Sequence, residues 1–146
     1  MVLVLLTAGS STAAPTLIGG YNTTGSSSIV AVAGNYAYVA DGSNGLVIVD
    51  VSNLAAPTLK GGYNTAQYSS GVVVAGNYAY VIHIDINNFG VSDLVIVNVS
   101  DPAAPTLIGR YNTAGSSRGV AVAGNYAYVT GNNGLVIVDV SNPAEQ

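Results

Sequence analysis

The residues of this chain that could do chemistry are few, and most fall in one stretch, Ile82–Asp93. On an extended strand His83, Asp85 and Asn87 point to the same side, where an imidazole, a carboxylate and an amide oxygen could meet a metal ion or sugar hydroxyls. Asp85–Gly90 partly imitates a calcium loop, but Phe89 stands where a ligand is needed, and no glutamate closes the loop at the required distance. His83 is the single histidine, so a histidine cluster for zinc is out of reach and general acid–base work is poorly served. The chain has no cysteine, which removes disulfides and thiolate metal sites. Its seven acids are scattered, two or three per unit, rather than converging as the paired carboxylates of a glycosidase. The serines at 26–28 and 116–117 form nothing like a nucleophile elbow. The chain therefore reads as a protein without catalytic residues, metal or cofactor. His83, Asp85, Asn87, Phe89 and Asp93 stand as a candidate binding hairpin for a surface glycan or protein, set against the plainer reading of a lengthened hairpin with one polar face.

Charge narrows the partners. Only 7% of the residues are charged while 49% are hydrophobic, and Lys60, Arg110 and Arg118 are the only basic side chains in a chain of net charge −4. Nucleic acid requires a basic stripe to neutralise phosphates, so it is not a partner. A surface this poor in charge repels its own copies weakly, which favours association. No segment approaches the roughly 18 apolar residues of a membrane span. The start, Met1–Leu6, reads either as a worn copy of a strand found later in the chain or as the remnant of a signal peptide.

These residues hang on a repeat. Leu46-Val-Ile-Val-Asp50 recurs as Leu94-Val-Ile-Val-Asn98 and Leu135-Val-Ile-Val-Asp139. Before each copy stands Asn-Tyr-Ala-Tyr-Val, and Ala-Pro-Thr-Leu follows the first two, with Pro15, Pro57 and Pro105 spaced 42 and 48 residues apart. The Gly-Asn pairs at 34–35, 76–77 and 124–125 sit between apolar runs and predict two-residue hairpins. Each unit of about 42 residues thus predicts four short antiparallel strands, here called a (Ile29 type), b (Tyr36 type), c (Leu46 type) and d (Pro57 type), and no helix. The c strands are apolar on both faces, which in an antiparallel sheet means cover on both sides. Stacked blades of a β-propeller provide that; a single sandwich does not. Asp50, Asn98 and Asp139 are expected to tie down the turn after each c strand. The repeated tyrosines are expected to pack between blades.

From Ala13 onward the sequence resembles the LVIVD-repeat proteins of bacteria and archaea, through the motif at Leu46–Asp50 and Leu135–Asp139 and its Asn-Tyr-Ala-Tyr-Val and Asp-Val-Ser-Asn-Pro flanks. The resemblance implies an all-β propeller fold, often a secreted or cell-surface setting, and a binding or structural role. It brings no catalytic residues.

Counting strands yields the main expectation. The chain reads c-d, abcd, abcd, abc: N-terminal strands over 1–23, blade 1 over 24–65, blade 2 over 66–113, and an incomplete blade 3 over 114–146. The spare d strand is Pro15, Thr16, Leu17, Ile18, Gly19, Gly20 and Tyr21. Lys60 and Arg110 guard the other two d strands with charge, but this one carries none, as expected where another chain covers it. Three blades are fewer than the four to eight of ordinary rings. The chain is then expected to be either a piece of a longer protein or a former of oligomers, in which the partner is a second copy and the N-terminal strand completes blade 3 in trans, as a ring of two chains and six blades or as a fibre. The expected setting is extracellular or at the cell surface.

Overall fold

A computed structural model describes residues 14–88 and 90–145, so Met1–Leu6 and the two readings of it lie outside the described residues. The fold is all-β, with three antiparallel sheets of four, four and three strands. Blade 1 is β1 (Ile29–Ala33), β2 (Tyr36–Ala40), β3 (Leu46–Asp50) and β4 (Thr58–Tyr63). Blade 2 is β5 (Tyr68–Ala75), β6 (Tyr78–Asp85), β7 (Val91–Asn98) and β8 (Thr106–Asn112). Blade 3 is β9 (Ser117–Ala123), β10 (Tyr126–Gly131) and β11 (Gly134–Asp139), followed by a 3-10 turn over Pro143–Glu145. Within each blade the strands pair in chain order. Among the described residues no sheet closes the row of blades into a ring.

The a–b hairpins are two-residue turns, with Ala33 opposite Tyr36, Ala75 opposite Tyr78 and Ala123 opposite Tyr126. Gly34, Gly76 and Gly124 take φ near +57°, whereas the asparagines that follow do not enter the left-handed region. This is the type II′ pattern, which asks for glycine at its first central position only. After each c strand the expected tie is present. Asp50 Oδ1 accepts the Ser52 N–H at 2.9 Å, Asn98 Oδ1 the Ser100 N–H at 2.9 Å, and Asp139 Oδ1 the Ser141 N–H at 2.8 Å. Asparagine can replace aspartate at 98 because only the acceptor oxygen is used.

Each blade has two unlike faces. Tyr36, Tyr38, Ala40, Leu46 and Ile48 share one face of blade 1, and the alternating Ala37, Val39, Val47 and Val49 share the other. The first face is a row of large knobs and the second a shallow socket of small residues. The cores lie between blades. Tyr38, Leu46 and Ile48 of blade 1 pack on Val72, Ala79, Val81, Val95 and Val97 of blade 2. Tyr80, Ile82, Leu94 and Ile96 of blade 2 pack likewise on Ala127, Val129, Val138 and Val140 of blade 3. The same contact is made twice with equivalent residues, so burial of the c strand on both faces follows from stacking. Burial raises the phenol pKa of Tyr38 and of Tyr80, with Tyr36 and Tyr78 adding to it.

Candidate functional site

Among the described residues the stack ends in two open faces, and blade 3 lacks the fourth strand that the other two blades have. On blade 3 the knob face has no cover among the described residues: Leu135 is 59% and Ile137 56% exposed, although their equivalents Leu46, Leu94, Ile48 and Ile96 are fully buried. The edge of β11 away from β10 has no strand beside it among the described residues. At the other end, blade 1 turns its socket face outward, with Val30 and Val32 exposed.

Pro15–Tyr21 lies against that socket face. It belongs to no strand among the described residues, and Leu17 is 91% exposed. Its position is nonetheless that of a d strand. A side chain added at Gly19 would collide with the Leu54 carbonyl and Ala55 in the turn after β3. At the equivalent Gly61 of β4 it would collide with the Pro102 carbonyl and Ala103 in the turn after β7. In the same way β8 lies against Pro143–Glu145 after β11. The chain leaves Pro15–Tyr21 as it leaves the other d strands. Thr24, Ala66 and Ala114 all take left-handed φ of 59° to 67°, each held by a hydrogen bond from its N–H to the side chain of Asn22, Asn64 or Asn112. Pro15–Tyr21 thus stands to blade 1 as β4 stands to blade 2, without a c strand at its side. Between this segment and the blade runs an apolar groove of about 420 Å³, floored by Ala37, Val39, Val49 and Val51.

Asp41 anchors the segment. It is buried and accepts hydrogen bonds from Thr23 Oγ1 at 2.6 Å and Ser27 Oγ at 2.5 Å on Oδ1, and from Asn44 Nδ2 at 2.8 Å on Oδ2. Burial pushes its carboxyl pKa up, but the bonds from Ser27, Thr23, Asn44 and the Gly25 N–H outweigh it and hold the carboxyl below its ordinary value. Its neighbours in sequence, Gly42-Ser-Asn-Gly45, mark Asp41 as a turn residue. The turn between β2 and β3 does contain it, and the larger part of its work is to hold residues 23–27 on blade 1. The signal for this is weak, because His83 and Gly131 stand at the equivalent positions.

The hairpin residues are placed as follows. β6 and β7 are eight residues each and pair through to Asp85 opposite Val91, so Ile82–Asp93 is a lengthened b–c hairpin. His83 is buried, with Nδ1 3.8 Å from Asp93 Oδ2, and among the described residues neither ring nitrogen makes a hydrogen bond of ordinary geometry. Burial and then the Arg110 charge lower its pKa, against the pull of Asp93. Asp93 takes a hydrogen bond from Arg110 at 3.0 Å, and Asp85 Oδ1 caps the turn by accepting the Asn87 N–H. Asn87 sits in that turn, beyond the end of β6, and so leaves the extended alignment with His83 and Asp85 that the sequence suggests. Phe89 lies outside the described residues. Asn87 does line a mixed cleft of about 280 Å³ with Ser43, Asn64, Ala66, Gln67, Tyr68 and Ile86. Among the described residues no group of three acids or histidines could hold a metal ion, and no helix is long and apolar enough to cross a membrane.

The model of the LVIVD repeat family matches the chain three times, over residues 24–65, 66–113 and 114–145. No curated protein matches it in sequence. With three matches that span most of its length, the chain belongs to the LVIVD repeat family.

Proposed function

We propose that this chain is a non-enzymatic structural protein of the cell surface or extracellular space that assembles with its own copies by strand addition. Pro15–Tyr21 of one copy becomes the outer strand of blade 3 in another. The observation that carries this is that Pro15–Tyr21 lies against the turn after β3 as β4 lies against the turn after β7, while among the described residues neither it nor the outer edge of β11 has a strand beside it. The two complete blades give the register. Leu46 faces Tyr63 and Asp50 faces Thr58 across β3 and β4; Leu94 faces Tyr111 and Asn98 faces Thr106 across β7 and β8. Each pair has an irregularity after the isoleucine. By equivalence Leu135 faces Tyr21, Ile137 faces Gly19, Val138 faces Leu17 and Asp139 faces Thr16, with Ile18 at the bulge. An unpaired strand edge is a template for another chain, and strand addition satisfies its backbone groups without a new fold. The low charge of the surface and the frequent surface setting of LVIVD-repeat proteins agree with this reading.

Binding of a glycan or protein at the Ile82–Asp93 hairpin is the alternative. In its favour stands the cleft beside Asn87. Against it, His83 is buried and Asp93 is engaged by Arg110, so neither offers a free ligand.

Removal of residues 1–21, which spares Thr23 and its bond to Asp41, tests the assembly. Light scattering should give a multimer for the full chain and a single chain for the shortened one, with unchanged circular dichroism. A shortened chain that assembles as well as the full one would overturn strand addition.

A further inference from the structure

We infer that two copies of this chain close into a six-bladed ring, the knob face of blade 3 in each copy seating in the groove on blade 1 of the other. This rests on strand addition, adds to it a docking face, and chooses the closed ring of two copies over the fibre.

The face follows from the two interfaces already inside the chain. Ala79, Val81, Val97 and Val99 of blade 2 form a socket filled by Tyr38, Leu46 and Ile48. The residues equivalent to that socket are Ala37, Val39, Val49 and Val51, which floor the open groove on blade 1. The residues equivalent to the knobs are Tyr128, Leu135 and Ile137, on the uncovered face of blade 3. Among the described residues knob and socket are therefore both present and unfilled, at opposite ends of the stack, and each has a filled counterpart between blades 1 and 2. Because Pro15–Tyr21 already lies over blade 1 where the d strand of a preceding blade would lie, a blade 3 that docks there meets it along β11. One rigid-body approach covers the face and completes the edge.

The copy number follows from closure. The contact joins unlike patches, so it propagates head to tail and ends in a ring if the rotation closes, or in a fibre if it does not. Propeller rings hold about four to eight blades. The described residues hold three blades, and at three blades a copy only two copies fall within that range. Closure also leaves neither copy with an exposed strand edge of the kind β11 presents.

Sedimentation of the full chain, of the form lacking residues 1–21 and of Ile137→Glu tests this. The full chain is expected at twice its 14.6 kDa mass, with no growth on further concentration. Ile137→Glu should weaken each of the two contacts about ten-fold or more, and the dimer about 100-fold or more, while leaving the thermal unfolding of the single chain unchanged. Leu135→Glu serves as a second variant with the same expectation. Open-ended growth would overturn the ring and leave strand addition standing. A dimer indifferent to both glutamates would overturn the face alone. A full chain that sediments as one copy, like the shortened form, would overturn both.

Discussion

Ile96→Ala is expected to lower the unfolding free energy by about 2–5 kcal/mol, while Ile137→Ala costs less than about 1 kcal/mol. Both isoleucines occupy the third position of the same motif, so propensity, neighbours in sequence and strand position are matched. They differ in what stands opposite. Ile96 is fully buried against blade 3, where truncation leaves a cavity that close-packed β-strands fill poorly. Ile137 is 56% exposed, and its truncation removes little buried surface. Urea titration of both variants in the form lacking residues 1–21 keeps assembly out of the comparison. Equal losses would mean that the knob face of blade 3 is covered within the chain itself.

Asp41→Ala carries the second large effect, a loss of about 2–4 kcal/mol together with weakened assembly. The substitution leaves Thr23, Ser27 and Asn44 without their shared acceptor. Hydrogen bonds to a charged group are worth about 1.5–3 kcal/mol each, but the freed hydroxyls regain water, so the sum is smaller than three full bonds. Residues 23–27 are also the tether of Pro15–Tyr21, and a loosened tether raises the entropy lost on docking. Asp41→Asn keeps Oδ1 for Thr23 and Ser27 and turns an amide toward Asn44, so it should fall between wild type and alanine. Because the folded carboxyl is held below its ordinary value, its contribution is fully present above the unfolded pKa near 3.8 and is lost as pH falls through the folded value. Thermal unfolding of the three proteins above and below that range, with light scattering at neutral pH, checks the result. An alanine variant as stable and as assembled as wild type would remove Asp41 from its role as anchor.

The repeat made the strands and their order legible, because apolar runs, Gly-Asn turns and prolines recur at matched spacings. Asp50, Asn98 and Asp139 were legible as turn ties because each is followed at the same distance by a serine. What could not be read is whatever depends on a neighbour from another unit. Leu46, Leu94 and Leu135 are the same residue in the same motif, yet the first two are buried and the third exposed, because burial is set by the next blade. His83, Asp85 and Asn87 alternate as strand residues do, yet the turn begins after Asp85 and takes Asn87 out of line. The anchoring by Asp41 has no period to reveal it, since the equivalent positions hold a histidine and a glycine.

The most direct test of the central claim, that Pro15–Tyr21 of one copy pairs with β11 of another in the register of the complete blades, is a disulfide. The chain has no cysteine of its own. Mixing the Thr16→Cys and Asp139→Cys proteins under mild oxidation places the two new thiols on facing residues, about 4.5–5.5 Å apart at Cα, within the span a disulfide bridges. The account predicts rapid cross-linking into two-chain species, and little from Thr16→Cys mixed with Leu135→Cys, which lies four residues out of register. Equal yields from the two mixtures, or no mixed disulfide from the first, would contradict it.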